Sequence, residues 1–379
     1  MPAQFDPFDI SFAVDELAGL RDRVRATRWP QRGAREWVRG VPLEYLRELA
    51  GYWSEQYDWF RYERRLNEWT HSRTVVDGQP IHVAQVRSPE PDAVPMVMLH
   101  GWPGSIVEFL EVAGPLTDPR AYGGDPADAF HLILPSLPGY GFSTPLAGEG
   151  WTPARTASAF AEVMARLGHD RYVVQGGDWG SMIARELARI DEAHVRAVHV
   201  NTLFTFPPRD LDLAGLDATD ADRVRAFRRY DREDSGYRHL QATRPRTIEY
   251  ALTDSPVGQL AWIAEKFFEW TDSHTRPEEA VDRDHLLTDV TLYWLTGTAG
   301  SSADLYYEAA HSRLPADPVA APLAVSVFRS DAPLPVRALA ERANNVVFWR
   351  EHERGGHFAA LEQPATLIDD IREALRPFR

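Results

Sequence analysis

Val173-Val174-Gln175-Gly176-Gly177-Asp178-Trp179-Gly180-Ser181-Met182-Ile183 runs from a β-branched apolar stretch, through glycines flanking an acid, into a second apolar segment. The order reads as strand, tight turn, helix. A small-x-nucleophile-x-small turn needs small flanking residues, because its strained backbone carries the central side chain out over the sheet edge. Here the central residue is Asp178. A carboxylate attacks through oxygen to form an alkyl ester, whereas a serine would form an acyl enzyme. Taken alone, Gly-Gly-Asp reads equally well as a turn whose aspartate caps the following helix.

Two further segments weigh on that choice. Leu99-His100-Gly101-Trp102-Pro103-Gly104-Ser105 follows an apolar run and resembles the loop that supplies one oxyanion-hole amide in the α/β-hydrolase fold. The amides of Trp102 and Trp179 would then point at one oxygen, and removing one such donor typically costs ~3 kcal/mol. Near the C-terminus, Glu353-Arg354-Gly355-Gly356-His357-Phe358 places a histidine between the last strand-like run and the last helix-like one. The chain order nucleophile, acid, histidine is the order this fold requires. Asp331, directly after the strand-like run ending at Phe328, is the preferred partner for the imidazole Nδ1–H, with Glu353 and Glu341 as rivals.

Working outward, short apolar runs recur at Thr74–Val76, Ile81–Val86, Met96–Leu99, His131–Leu134, Tyr172–Val174, Val195–Val198, Leu323–Phe328 and Val346–Phe348. Asp77-Gly78 between the first two is a hairpin signal. Helical patterns between the later runs predict a mostly parallel α/β sheet. The first seventy or so residues read as helices and connectors, with Val14, Leu17, Leu20 and Val24 at helical spacing. Residues 209–318 again have a helical texture, with Pro256 at an expected first helical position. An insertion of about a hundred residues is too long for a loop. The expected organisation is a helical extension over 1–72, a core over 73–208 and 319–379, and a helical insertion over 209–318.

Composition narrows the chemistry. A net charge of −15 argues against nucleic acid or an anionic membrane as partner. No cysteine is present, which removes thiolate nucleophiles and thiolate metal sites. Of 41 basic residues, Lys266 is the single lysine, so Schiff-base chemistry has almost no candidate. No signal-like segment opens the chain and no apolar stretch approaches the ~18 residues of a membrane span, so a cytoplasmic location is the expectation.

Arg28-Trp29-Pro30, Asp58-Trp59 to Leu66-Asn67, His100 to Ser105, Pro135-Ser136-Leu137-Pro138-Gly139-Tyr140-Gly141-Phe142-Ser143, Gly176 to Gly180 and Gly355 to Phe358 together resemble an epoxide hydrolase of the α/β-hydrolase superfamily. The branch is that of microsomal and fungal enzymes with a long N-terminal extension. The resemblance makes the helical insertion a lid over the active site. It also implies that two lid tyrosines, Tyr237 and Tyr306, bind the epoxide oxygen. Tyr307 is the neighbour of uncertain role, since adjacent helical positions point about 100° apart. Asp178 would open the ring to give a hydroxyalkyl ester, and His357 with Asp331 would activate water against it. The amides of Trp102 and Trp179 would hold the oxyanion. The resemblance implies no metal and no organic cofactor, a neutral epoxide and water as reactants, and a homodimer as a common state.

Two departures stand out against that branch. Relatives often carry a proline after the phenylalanine of the acid turn, where this chain has Phe328-Arg329-Ser330-Asp331; microsomal relatives begin with a membrane anchor, and none is expected here. The rival readings are a haloalkane dehalogenase-like hydrolase using the same aspartate, and a catalytically silent binding protein. Trp262, Phe267, Phe268, Trp270, Tyr293 and Trp294 suit a bulky aryl epoxide and equally suit a packed lid. Similar bacterial proteins open aromatic epoxides in polyketide biosynthesis, enediynes among them, while others are catabolic or detoxifying.

Overall fold

Val173 and Val174 are fully buried at the centre of the sheet, in the strand that delivers Asp178 to its edge. The computed structural model describes residues 5–313 and 318–379; the first four residues of the stretch read as lacking a signal, and residues 314–317 of the expected insertion, lie outside the described residues. The strands are β1 (Asp6–Pro7), β2 (Thr70–Val76), β3 (Gln79–Val86), β4 (Val94–Leu99), β5 (Phe130–Pro135), β6 (Tyr172–Gly176), β7 (Val195–Val200), β8 (Val319–Phe328) and β9 (Asn344–His352). They form one sheet in the order β1-β2-β3-β5-β4-β6-β7-β8-β9. The first four strands in that order pair antiparallel, and every pair from β5 to β9 is parallel. This is the mostly parallel α/β sheet that the strand and helix pattern predicts, in the arrangement of the α/β-hydrolase fold that the resemblance implies.

The order turns back on itself at β4, which lies between β5 and β6. Crevices form at the carboxyl ends of strands where the order reverses. Register pairs Leu99 with Gly176, so the His100 loop and the Asp178 turn leave the sheet side by side. The Asp77-Gly78 hairpin also forms, with both residues at positive φ (52° and 78°), as a two-residue turn matched to strand twist requires.

One reading of the N-terminal segment needs correction. Helices do cover Val14–Arg25, Leu43–Glu55 and Trp59–Leu66, but Asp6 and Pro7 add an edge strand against Arg73 and Ser72, and β2 begins at Thr70. A two-residue strand has no room for alternation. Its register is held instead by Phe8, which packs under the Arg73 guanidinium (4.0 Å) and beside His82 (5.4 Å).

Between β7 and β8 lie helices Ala218–Glu233, Gly236–Thr243, Pro245–Asp254, Pro256–Glu269, Arg283–Thr296 and Thr298–His311. Pro256 opens its helix, behind Ser255, whose hydroxyl accepts the Gly258 N–H. The N-terminal aromatics fasten this layer: Trp53 Nε1 donates to Thr291 Oγ1 at 2.8 Å, Tyr57 and Thr288 hydroxyls meet at 2.9 Å, and Trp37 stacks on Phe268 at 4.0 Å. Among the described residues no helix is long and apolar enough to cross a membrane.

Candidate active site

The turn after β6 holds Asp178 at φ 50°, ψ −125°, a strained backbone for a non-glycine residue. Glycines make it possible. A Cβ at Gly180 would fall 2.0 Å from the Leu99 carbonyl oxygen, and one at Gly176 2.4 Å from that of Gly180. Asp178 Oδ1 accepts the Trp102 N–H at 2.8 Å, and the Trp179 N–H also bonds the carboxylate. Burial pushes the Asp178 carboxyl up, while His357 and the two amides pull it back.

Asp331 Oδ1 accepts the His357 Nδ1–H at 2.8 Å, and the other ring nitrogen faces Asp178 Oδ2 across 3.6 Å. Asp331 is fixed by the Ala332 N–H (2.9 Å) and by the Thr202 hydroxyl, which donates to Oδ2 at 2.8 Å. Its turn forms without the proline, closed by Asp331 N–H to the Phe328 carbonyl at 3.0 Å. The rival acids are elsewhere: Glu353 pairs with Arg329 and Glu341 with Arg337. Burial opposes protonation of His357, but the charge and hydrogen bond of Asp331, aided by Asp178, outweigh it and raise the imidazole to about 9. At neutral pH the ring is therefore held as an imidazolium, with Asp331 on one side and Asp178 on the other. Of two neighbouring acids, burial pushes the Glu108 carboxyl well above the usual range and Asp289 up to about 8.

Both singled-out phenols reach this centre. The Tyr237 ring stacks on Trp102 (5.3 Å, 6°), the Tyr306 ring stands edge-on to Trp179 (4.8 Å, 88°), and the two tyrosine rings are 6.1 Å apart. Burial pushes both phenols well above their usual pKa, so they stay neutral donors. Tyr307 points away; it is 39% exposed and stacks on His311. Tyr306 is placed by the Pro135–Ser143 loop, where the Tyr140 hydroxyl donates to the Ser302 carbonyl at 2.9 Å and Ser301 donates to the Gly139 carbonyl at 2.5 Å. His100 ties that loop to its own, accepting the Leu137 N–H at Nε2. Burial drops its pKa to about 4, so it is neutral.

Residues 94–370 match the family described as alpha/beta hydrolase fold, and residues 5–109 match that described as epoxide hydrolase N terminus. Over 375 residues the chain is 44% identical to a Stigmatella aurantiaca protein named "Putative epoxide hydrolase", covering 98% of this chain and 85% of that one. It is 34% identical to epoxide hydrolase 1 of Sus scrofa over 397 residues, covering 97% and 87% of the two chains. The chain belongs to the epoxide hydrolases. The structure of Aspergillus niger epoxide hydrolase superposes with a TM-score of 0.86 at 31% identity, covering 100% of this chain and 97% of that one. Membership favours epoxide hydrolysis over the dehalogenase-like and silent readings.

In this epoxide hydrolase a narrow cavity of about 50 Å³ reaches Asp178 between Trp179, Phe227, Tyr230, Tyr237 and Tyr306. A second cavity of about 330 Å³ shares Trp179, Met182, Phe206, Arg238 and Tyr306 with it and adds His239 and Ala242. Thr202 and Tyr230 bear on the site and escape the sequence reading, and Trp270 has a closer role than that reading gives it. Thr202 follows β7 as Asp331 follows β8, so position after a strand end was its available signal. Tyr230, whose hydroxyl lies 3.0 Å from that of Tyr237, sits on a different helix and left no periodic trace. Trp270 had been grouped with the lid aromatics, yet its carbonyl accepts the His357 N–H at 2.7 Å and its ring packs 4.8 Å from the imidazole.

Proposed function

We propose that this epoxide hydrolase works through a covalent ester on Asp178. Oδ2 attacks an epoxide carbon, the carbon–oxygen bond of the ring breaks, and Tyr237 and Tyr306 hydrogen-bond the departing oxygen, which takes a phenolic proton. The result is a hydroxyalkyl ester. His357, oriented by Asp331, then deprotonates water as it adds to the ester carbonyl carbon. The amides of Trp102 and Trp179 hold the resulting oxyanion on Oδ1. Collapse breaks the bond to the alkyl oxygen, releasing a vicinal diol and leaving one water-derived oxygen on Asp178.

The observation that carries this reading is the division of labour on one carboxylate: Oδ1 is held by the Trp102 N–H at 2.8 Å, while Oδ2 is turned toward His357 at 3.6 Å. The charge balance supports the sequence of steps. Asp178 is one of the groups that raise His357, so esterification removes a negative charge and lowers the affinity of the imidazole for its proton. The imidazolium proton passes through solvent to the phenolate left by ring opening, so the phenol is restored and the neutral ring becomes a base once the ester exists; the proton it then takes from water balances the one lost. Water needs such a positioned base near neutrality.

A neutral, aryl-bearing epoxide fits the aromatic walls of the inner cavity, formed by Trp179, Phe204, Phe206, Phe227 and Tyr230. A biosynthetic intermediate of that kind is one candidate and a catabolic styrene-oxide-like compound another. Turnover of a small panel of racemic epoxides, with chiral analysis of the diols, separates them. For the covalent route, a single turnover in 18O-water is expected to leave label on Asp178 and none in the first diol. Label found only in the diol overturns it.

A further inference from the structure

Lys266 is the only lysine among 41 basic residues, yet it is 2% exposed. Its Nζ lies 4.6 Å from the centre of the Tyr237 ring and 5.7 Å from that of Trp270. Glu265 Oε2 and Glu269 Oε2 hold it at 2.8 and 2.7 Å. Burying an ammonium with its counter-charges is seldom better for stability than a well-packed apolar residue. The composition adds a second clue. Arginine serves at every other basic position, so this one calls for what arginine lacks: a compact charge whose three donors point in different directions, against a planar fork.

We propose that Lys266 is a positioning residue for epoxide opening, its ammonium making the Tyr237 hydroxyl the better proton donor of the tyrosine pair. The inference rests on the role given to Tyr237 above. As the ring carbon–oxygen bond breaks, the Tyr237 proton moves to the departing oxygen and negative charge grows on the phenol. A cation over the ring face, away from water, stabilises that charge most in the transition state. Lys266 itself transfers no proton and touches no substrate. Burial pushes the Glu269 carboxyl up against the pull of Lys266. Among the described residues no cation lies over the Tyr306 ring, so the pair is asymmetric: Tyr237 delivers the proton and Tyr306 holds the oxygen.

The test is a double-mutant cycle on the full chain with styrene oxide, following formation and breakdown of the ester separately by rapid mixing. Lys266→Met is expected to slow ester formation about tenfold, or about 1.4 kcal/mol, and to leave breakdown unchanged. In the Tyr237→Phe background the ring remains but the hydroxyl is gone, so Lys266→Met should then change ester formation by less than about twofold. A tenfold loss that persists in that background, or equal slowing of both half-reactions, assigns Lys266 to packing and overturns the proposal. Tyr237→Phe without effect on ester formation instead defeats the proposed role of Tyr237. Should Lys266→Met not fold, Lys266→Met with Glu265→Gln and Glu269→Gln removes both stranded carboxylates and runs the same cycle.

Discussion

His357 Nε2 stands 3.6 Å from Asp178 Oδ2, beyond hydrogen-bond length but within the range of an ion pair. The gap leaves the nucleophile free of a shared proton while the imidazole stays charged. If the ring acts only after the ester has formed, His357→Gln should form ester at a near-normal rate and fail to release it. Mass spectrometry of the stopped reaction is expected to find the epoxide mass added to the peptide bearing Asp178, with breakdown slowed by about 10²-fold or more. Normal turnover without an adduct refutes the base role.

The elevated His357 also predicts a pH dependence of stability. Its pKa rises from 6.5 in the unfolded chain to about 9 in the fold, so between those values the folded state holds a proton that the unfolded chain releases. Stabilisation is complete below about pH 6.5 and is lost as pH climbs through about 9. The melting-temperature difference between the wild type and His357→Gln should therefore shift against the wild type across that window. A difference that does not vary with pH contradicts the assignment. Asp178→Asn, which removes one of the negative charges acting on the ring, should lower the His357 pKa in an NMR titration.

The phenols make a prediction about which half-reaction suffers. Tyr237→Phe and Tyr306→Phe should each slow ester formation while leaving breakdown of preformed ester alone, and the pair together should lose about 10²- to 10⁴-fold. Tyr307→Phe is the control, because that ring lies on the outside against His311. A double variant that still opens epoxides at the normal rate removes the tyrosines from the chemistry.

What the sequence made readable follows from where each constraint is local. The Asp178 turn and the His100 loop announce themselves because close backbone approach demands glycine, and Gly176 and Gly180 are both within reach of carbonyl oxygens. The hairpin at Asp77-Gly78 is legible for a similar reason. Asp331 was reachable from its place after a strand, although Thr202, which completes its hydrogen bonding, carries no such mark. Tyr230 and Lys266 were not legible as site residues. Each acts on Tyr237 from a neighbouring helix, and helix packing sets that relation, not any spacing along the chain. The edge strand at Asp6–Pro7 was hidden because pairing with β2 defines it.

The last prediction concerns the contact that fastens the N-terminal segment to the helical layer. Trp53 is 2% exposed, and its indole N–H donates to the Thr291 hydroxyl on the Arg283–Thr296 helix at 2.8 Å. That hydroxyl in turn donates to the Leu287 carbonyl at 2.5 Å, so it has no proton left to give and serves the indole as an acceptor. Trp53→Phe keeps an aromatic ring but removes the donor and part of the buried volume, for a cost of about 1–3 kcal/mol. Thr291→Val removes both the acceptor and the internal bond and leaves the indole N–H buried without a partner, at a similar cost. If the two residues act through this contact, the double variant should be less destabilised than the sum of the singles, by an interaction of about 0.5 kcal/mol or more in urea unfolding. Strict additivity implies that the N-terminal segment is held on the helical layer by its buried apolar area, with Trp53 contributing through size alone.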